Sequence, residues 1–267
     1  MSGSKRIEES FARCRAEGRG ALVTYVMGGD PDVAGSARMA LACVEGGADL
    51  LEIGVPFSDP IADGPTIQLA AERALRHRTS PRDCLAVVRA VRAKSQVPVA
   101  LMGYLNPILA AGLEGFVAEA AAAGVDALII PDLLPEESGE LAATAARHGL
   151  ALVFLVAPTS TPARVEAAAR AATGFVYFVS VTGVTGARAE LPADLAGKVK
   201  AVREASRVPV VIGFGVSTPE QARALGRLAD GVVVGSAIVS RVAAPGPVAA
   251  RASGVARFVR SLAKALR

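Results

Sequence analysis

Short apolar runs recur along the chain. Each is followed by a longer, alanine-rich stretch in which apolar residues return every three or four positions. The first pattern is that of a buried strand, the second that of a helix with one apolar face. The runs occupy residues 21–27, 50–55, 97–102, 127–130, 152–156, 175–181, 208–212 and 231–234, and an opening helix over 4–17 precedes them. Strands apolar on both faces and alternating with helices predict a parallel sheet covered by helices. Eight such units in a chain of 267 residues predict a closed (β/α)8 TIM barrel with an additional N-terminal helix. An open doubly wound sheet is the rival, but no run leads into a G-x-G-x-x-G turn. Gly46-Gly47, Gly124, Gly149, Gly174 and Gly226 fall where helices should end, as C-terminal caps do. Over 255–267, Phe258, Val259, Leu262 and Leu266 share one helical face opposite Arg257, Arg260 and Lys264, which reads as a last helix docked on its own domain.

No Pro/Ser/Gly linker divides the chain, so 1–267 is expected to be a single domain. Aromatic residues make up 4% and tryptophan is absent, so aliphatic and alanine packing must build the core. The net charge of +4 is spread over helix surfaces (Arg73, Arg76, Arg89, Arg92, Arg203, Arg207) without interleaved aromatics, which argues against a nucleic-acid partner. Cys14, Cys43 and Cys84 are odd in number and far apart, as reduced thiols of a cytosolic protein would be. His77 and His148 have no ligand spacing and read as surface residues, leaving no metal site. Residues 1–17 lack a secretory apolar core, and no run has membrane-spanning length, so a cytoplasmic protein without a membrane partner is expected.

In a closed barrel, chemistry belongs to the face where the strands end. The unusual residues collect there: Glu52, Asp63, Asn106, Asp132, Tyr177, the loop 182–194, Phe214 and Ser236. Alternation sets Leu51, Ile53 and Val55 on one face and Glu52 with Gly54 on the other, so Glu52 points into the space the strands enclose. A glutamate there is either a structural, hydrogen-bonded acid or a general acid/base whose proton affinity burial raises. Asp63, in a Pro/Gly-punctuated loop, adds a second carboxylate. Gly213-Phe214-Gly215 and Gly235-Ser236 follow the last two strands. These are either tight turns or a phosphate cradle of close backbone N–H groups, a helix N-terminus and the Ser236 hydroxyl. Two such turns together with Gly186 favour phosphate. The loop 182–191 reads as a lid or a mobile connection. Tyr25, Met102, Leu155, Tyr177 and Phe214, taken as residues alone, read mostly as core packing.

Segment 51–66, with Gly28-Gly29-Asp30-Pro31, Gly183-Val184-Thr185-Gly186, Gly213 to Ser217 and Gly235 to Val239 in matching order, resembles the tryptophan synthase alpha subunit over nearly the whole chain. The resemblance implies retro-aldol cleavage of indole-3-glycerol phosphate to indole and glyceraldehyde 3-phosphate. Glu52 would be the proton shuttle, and an ionised Asp63 would hydrogen-bond the indole N–H. By the same resemblance Tyr25, Met102, Leu155, Tyr177 and Phe214 surround the indole, and the lid brings Thr185 close to Asp63. Gly186, Gly215, Gly235 and Ser236 would then hold the phosphate. No cofactor is implied in this chain, pyridoxal phosphate being expected only in a partner beta subunit of an alpha2beta2 assembly, met by Pro56, Asp59, Asn106 and Pro107. Thr24 and Val181 depart from the family pattern, where a proline and an arginine are common. Three alternatives remain: a stand-alone indole-glycerol-phosphate lyase, a mainly activating subunit, or another phosphate-binding barrel, against which segment 51–66 speaks.

Overall fold

A computed structural model describes residues 3–179 and 194–267. The chain runs α1 (Gly3–Ala16), β1 (Ala21–Met27), α2 (Val33–Gly46), β2 (Leu50–Gly54), α3 (Pro65–Arg76), α4 (Pro81–Arg92), β3 (Val99–Met102), α5 (Leu105–Ala110), α6 (Leu113–Ala123) and β4 (Ala127–Ile129). It continues with α7 (Gly139–Arg147), β5 (Ala151–Val156), α8 (Pro162–Ala171), β6 (Val176–Val179), α9 (Leu195–Ala205), β7 (Val210–Gly213), α10 (Pro219–Gly226), β8 (Gly231–Val234), α11 (Ser236–Val242) and α12 (Val248–Ala265). All eight strands pair in parallel and in sequence order, and β8 closes on β1, giving the expected barrel.

Strand alternation builds two apolar layers. Ala21, Val23, Leu50, Ala100, Ile129, Val153 and Val211 face inward and fill the barrel. Their neighbours, Leu51, Ile53 and Val55 among them, face outward and pack under the helices. The opening helix closes the barrel floor with Ile7, Phe11 and Cys14. Two buried acids hold it there: Asp126 accepts from Arg6 (2.6 Å) and Arg92 (2.8 Å), and Asp49 accepts from Arg13 (3.2 Å) and Arg19 (2.6 and 2.9 Å).

Among the expected helix caps, Gly47, Gly124 and Gly149 adopt positive φ. Gly174 and Gly226 do not, and they serve close approach instead. A Cβ on Gly174 would stand 3.0 Å from the Ala151 Cβ, and one on Gly226 2.5 Å from Leu266. The run expected over 97–102 forms ladder pairs only from Val99, and the one over 208–212 from Val210. The last helix is longer than expected, Val248–Ala265, and buries Val255, Val259 and Leu262. His77 is exposed as expected, but half-buried His148 meets Glu114 at 2.9 Å. All three cysteines are buried and free. Among the described residues no helix is long and apolar enough to cross a membrane, and no cluster of His, Cys, Asp or Glu could hold a metal ion.

Candidate active site

The C-terminal ends of β1, β2, β3, β5 and β6 bring together the residues singled out by pattern. Glu52 lies on β2 in register with Tyr25 of β1 and Ala100 of β3, its carboxylate directed inward and 1% exposed. Among the described residues neither of its oxygens has a hydrogen-bond partner. A carboxylate so placed is held above its ordinary range: burial, and secondarily the charge of Asp63, push it up to about 8. At neutral pH Glu52 therefore carries its proton.

Asp63 ends the loop after β2. Its N–H donates to the Pro60 carbonyl (3.0 Å), and its own carbonyl accepts from Gln68 Nε2 of α3 (2.9 Å). Helix α3, which starts two residues later, is tied to the loop after β1 by Arg73. That guanidinium donates to both carboxylate oxygens of buried Asp30, at 2.9 and 2.8 Å. Burial raises Asp63 to about 6, and a hydrogen bond from the Tyr104 hydroxyl opposes the rise. The same hydroxyl accepts the Ala62 N–H at 2.9 Å, and the ring meets Phe57 at 5.3 Å. Sequence reasoning passed over Tyr104, although an amphipathic aromatic directly beyond a strand end was the available signal.

Tyr25, Met102, Leu155 and Tyr177 line the barrel mouth around Glu52. The two tyrosine rings occupy space that glycines leave open. A Cβ on Gly54 would stand 2.0 Å from the Tyr25 hydroxyl oxygen, and one on Gly213 2.7 Å from the Tyr177 ring. Both phenols are pushed well above their ordinary range, first by burial and then by the two carboxylates, so both remain protonated. Phe214 stands apart from this group: its ring stacks on Phe178 at 6.5 Å and packs with the outer layer.

Gly215, at φ +63°, and Gly235 with Ser236 sit in the turns after β7 and β8. Only the second turn opens a helix without a side-chain cap. Helix α10 is closed by its own capping box, Thr218 accepting from Gln221 while Gln221 Oε1 accepts from Ser217 (2.8 Å) and Thr218 (3.3 Å). The N–H groups of Ser236 and Ala237 thus lack intrahelical acceptors and suit an anion. Thr185, Gly186, Val181 and the lid loop 182–191 lie outside the described residues.

Among the expected partner-face residues, Asp59 and Asn106 are exposed and Pro107 is half-buried. Pro56 is a correction, being buried within the chain, while Phe57, Ser58 and Asp59 beside it reach the surface. Unannounced by pattern, four large apolar side chains are exposed among the described residues, Ile61 (85%), Leu69 (54%), Leu109 (50%) and Leu134 (39%), on the segments after the neighbouring strands β2, β3 and β4.

The family model for the tryptophan synthase alpha chain matches residues 11–266. The tryptophan synthase alpha chain of Geobacter sulfurreducens is 56% identical over 234 residues, covering 88% of this chain and 89% of that protein. That of Rhizorhabdus wittichii is 48% identical over 263 residues, covering 98% and 96%. Among solved structures, Mycobacterium tuberculosis tryptophan synthase superposes with a TM-score of 0.91 at 41% identity, covering 98% of both chains. Tryptophan synthase subunit alpha of Legionella pneumophila superposes at 0.88 with 34% identity, covering 100% of this chain and 98% of that one.

Proposed function

The chain belongs to the tryptophan synthase alpha chain family, and on that premise we infer that it is the lyase subunit that cleaves indole-3-glycerol phosphate to indole and glyceraldehyde 3-phosphate in tryptophan biosynthesis. The observation that carries the residue roles is the placement of two carboxyl groups at one barrel mouth. Glu52 is buried with neither oxygen hydrogen-bonded among the described residues, which favours its protonated form, while Asp63 accepts from the Tyr104 hydroxyl, which favours its ionised form. Glu52 gives its proton to C3 of the indole, and positive charge develops on the ring. Asp63 accepts a hydrogen bond from the indole N–H and stabilises that charge. Glu52, now a carboxylate, takes the proton of the side-chain hydroxyl. The C–C bond then breaks, its electron pair returning to the ring as the aldehyde forms. Tyr25, Met102, Leu155 and Tyr177 form the flat apolar walls for the indole. Gly215, Gly235 and Ser236, with Gly186, receive the phosphate, and Thr185 is the substrate-binding residue that pairs with Asp63. Phe214, the fifth residue read for the indole walls, has its ring stacked on Phe178.

We read residues 1–267 as one TIM-barrel domain working in the cytoplasm with a beta subunit in an alpha2beta2 assembly. Pyridoxal phosphate belongs to that partner. Exposed Ile61, Leu109 and Leu134 beside Asp59 and Asn106 support a partner face around the loops after β2 to β4. The test is indole release from indole-3-glycerol phosphate with and without added beta subunit, together with Glu52→Gln. Weak activity that rises strongly with the partner is expected. In Glu52→Gln, cleavage should vanish while affinity for a phosphate ligand survives. High activity alone would indicate a stand-alone lyase, and no indole under either condition would overturn the reaction.

A further inference from the structure

The opposite end of the barrel holds a second concave site. A cavity of about 460 Å³ opens where β1 and β8 begin, lined by Arg15, Arg19, Arg203, Arg223, Arg227 and Arg267 against a single acid, Asp230. Its apolar wall includes Phe11 and Leu266. A neighbouring hollow shares Arg15, Arg203 and Arg227 and extends the basic lining with Lys200 and Arg207, beside Glu204.

Three of these guanidinium groups are held in place by the fold. Arg19 donates to Asp49 (2.6 and 2.9 Å) and Glu17 (2.6 Å), Arg203 to Asp230 (3.2 Å) and the Leu228 carbonyl (3.4 Å), and Arg223 to the Ala265 carbonyl (3.3 Å). The side chains of Arg15 and Arg227, on α1 and just past α10, have no partner among the described residues and are free to close on a ligand. Helix polarity explains part of this lining. Helices α1, α9, α10 and α12 all end here, and cations complement helix C-termini. Arg19 is compensated by Asp49 and Glu17, and Arg203 by Asp230. Each terminus is equivalent to roughly half a negative charge, so the four offset about two of the remaining Arg15, Arg223, Arg227 and Arg267 and leave a smaller positive excess.

We propose that this cavity binds an anion carrying two or more linked phosphates, such as inorganic tripolyphosphate or a nucleoside triphosphate. Planar guanidinium forks match phosphate oxygens in pairs. The arginines stand at or just beyond the ends of four helices, α1, α9, α10 and α12, and line two adjoining hollows, so an extended polyphosphate can meet more of them than one carboxylate or one phosphate can. The volume lies within the range of small-molecule pockets. The site is separate from the catalytic mouth, because Phe11 serves both as cavity wall and as part of the barrel floor, against Phe175 at 6.0 Å. The proposal does not depend on the reaction assigned above.

The experiment is calorimetric titration of the full chain with tripolyphosphate and, separately, with a nucleoside triphosphate, each at low and physiological salt. Wild type and Ser236→Ala are expected to bind alike. The paired variant Arg15→Gln/Arg227→Gln, altered at two exposed positions, should bind about tenfold or more weakly with unchanged thermal stability, and Arg15→Lys/Arg227→Lys should recover part of the loss. Tighter binding of the nucleotide than of tripolyphosphate would show that the apolar wall is read as well, and equal binding that the phosphate chain suffices; both support the site. Equal affinity in wild type and Arg15→Gln/Arg227→Gln, or no binding at physiological salt, would overturn it.

Discussion

Glu52 and Asp63 are both acids, yet their surroundings assign them opposite protonation states at neutral pH. Activity requires Glu52 with its proton and Asp63 without. A plot of kcat/KM against pH should therefore be bell-shaped, with an acid limb near 6 and an alkaline limb near 8. Asp63→Asn is expected to remove the acid limb and shift the alkaline limb downward, because the negative neighbour that helps raise Glu52 is gone. Its single-turnover rate should fall roughly a hundredfold or more, the scale for a lost charge-stabilising group; an unchanged rate would remove Asp63 from the chemical step. Stability carries the same signature. From 4.5, its ordinary value, to about 8, folded Glu52 keeps a proton that the unfolded chain releases, so stability falls as pH rises through that window. Glu52→Gln should therefore raise the urea midpoint above pH 8, with a gain of roughly 1.4 kcal/mol per unit of displaced pKa, and have little effect below pH 4.

At the scale of elements, glycines divide into those that admit a neighbour and those that do not. Gly46 ends α2 against α12, where an added Cβ would stand 2.6 Å from the Val259 Cβ and 2.9 Å from the Ala256 carbonyl oxygen. Gly254, within α12, has nothing within 4 Å of its added Cβ. Gly46→Ala should destabilise the fold by about 1–3 kcal/mol through overpacking. Gly254→Ala should stabilise it by about 0.5–1 kcal/mol through helix propensity. Urea midpoints moving in opposite directions would confirm the distinction, and a neutral Gly46→Ala would show that α2 and α12 can separate without loss. Tyr25 and Tyr177 exploit the same freedom at the mouth, where Gly54 and Gly213 let aromatic rings lie over strand ends.

For the whole molecule, the two ends of the barrel have separate duties. Asp126 is fully buried at the floor, accepting from Arg6, Arg92 and the Val99 N–H (2.7 Å), and so joins α1, α4 and β3. Asp126→Ala would leave Arg92 its bonds to the carbonyls of Ser95, Val97 and Gly124 but would leave the buried Val99 N–H without its acceptor, and should lower stability by about 1–3 kcal/mol. Indole release per folded molecule at 25 °C should be unchanged, since the carboxylate pair lies at the other end. A specific loss of turnover without loss of stability would show instead that the floor governs the mouth.

Local pattern carried the eight strands, the order of helices and the inward direction of Glu52, because side chains alternate with a period of two whatever the rest of the chain does. It also marked the glycine turns after the last two strands. Strand ends were less legible, since 97–98 and 208–209 are apolar without entering the ladder. What pattern left unread joins residues far apart in the chain. Tyr104 acts on Asp63, Arg73 on Asp30, and Glu114 on His148. Gly174 and Gly226 were expected as caps but are needed where Ala151 and Leu266 arrive from elsewhere. Pro56 became interior, while Arg15 of the first helix met Arg203 and Arg227 from near the other end of the chain. Periodicity determined which face of each element is apolar. Only closure of β8 onto β1 decided which polar groups share a site, because that pairing sets distances which no local stretch of chain contains.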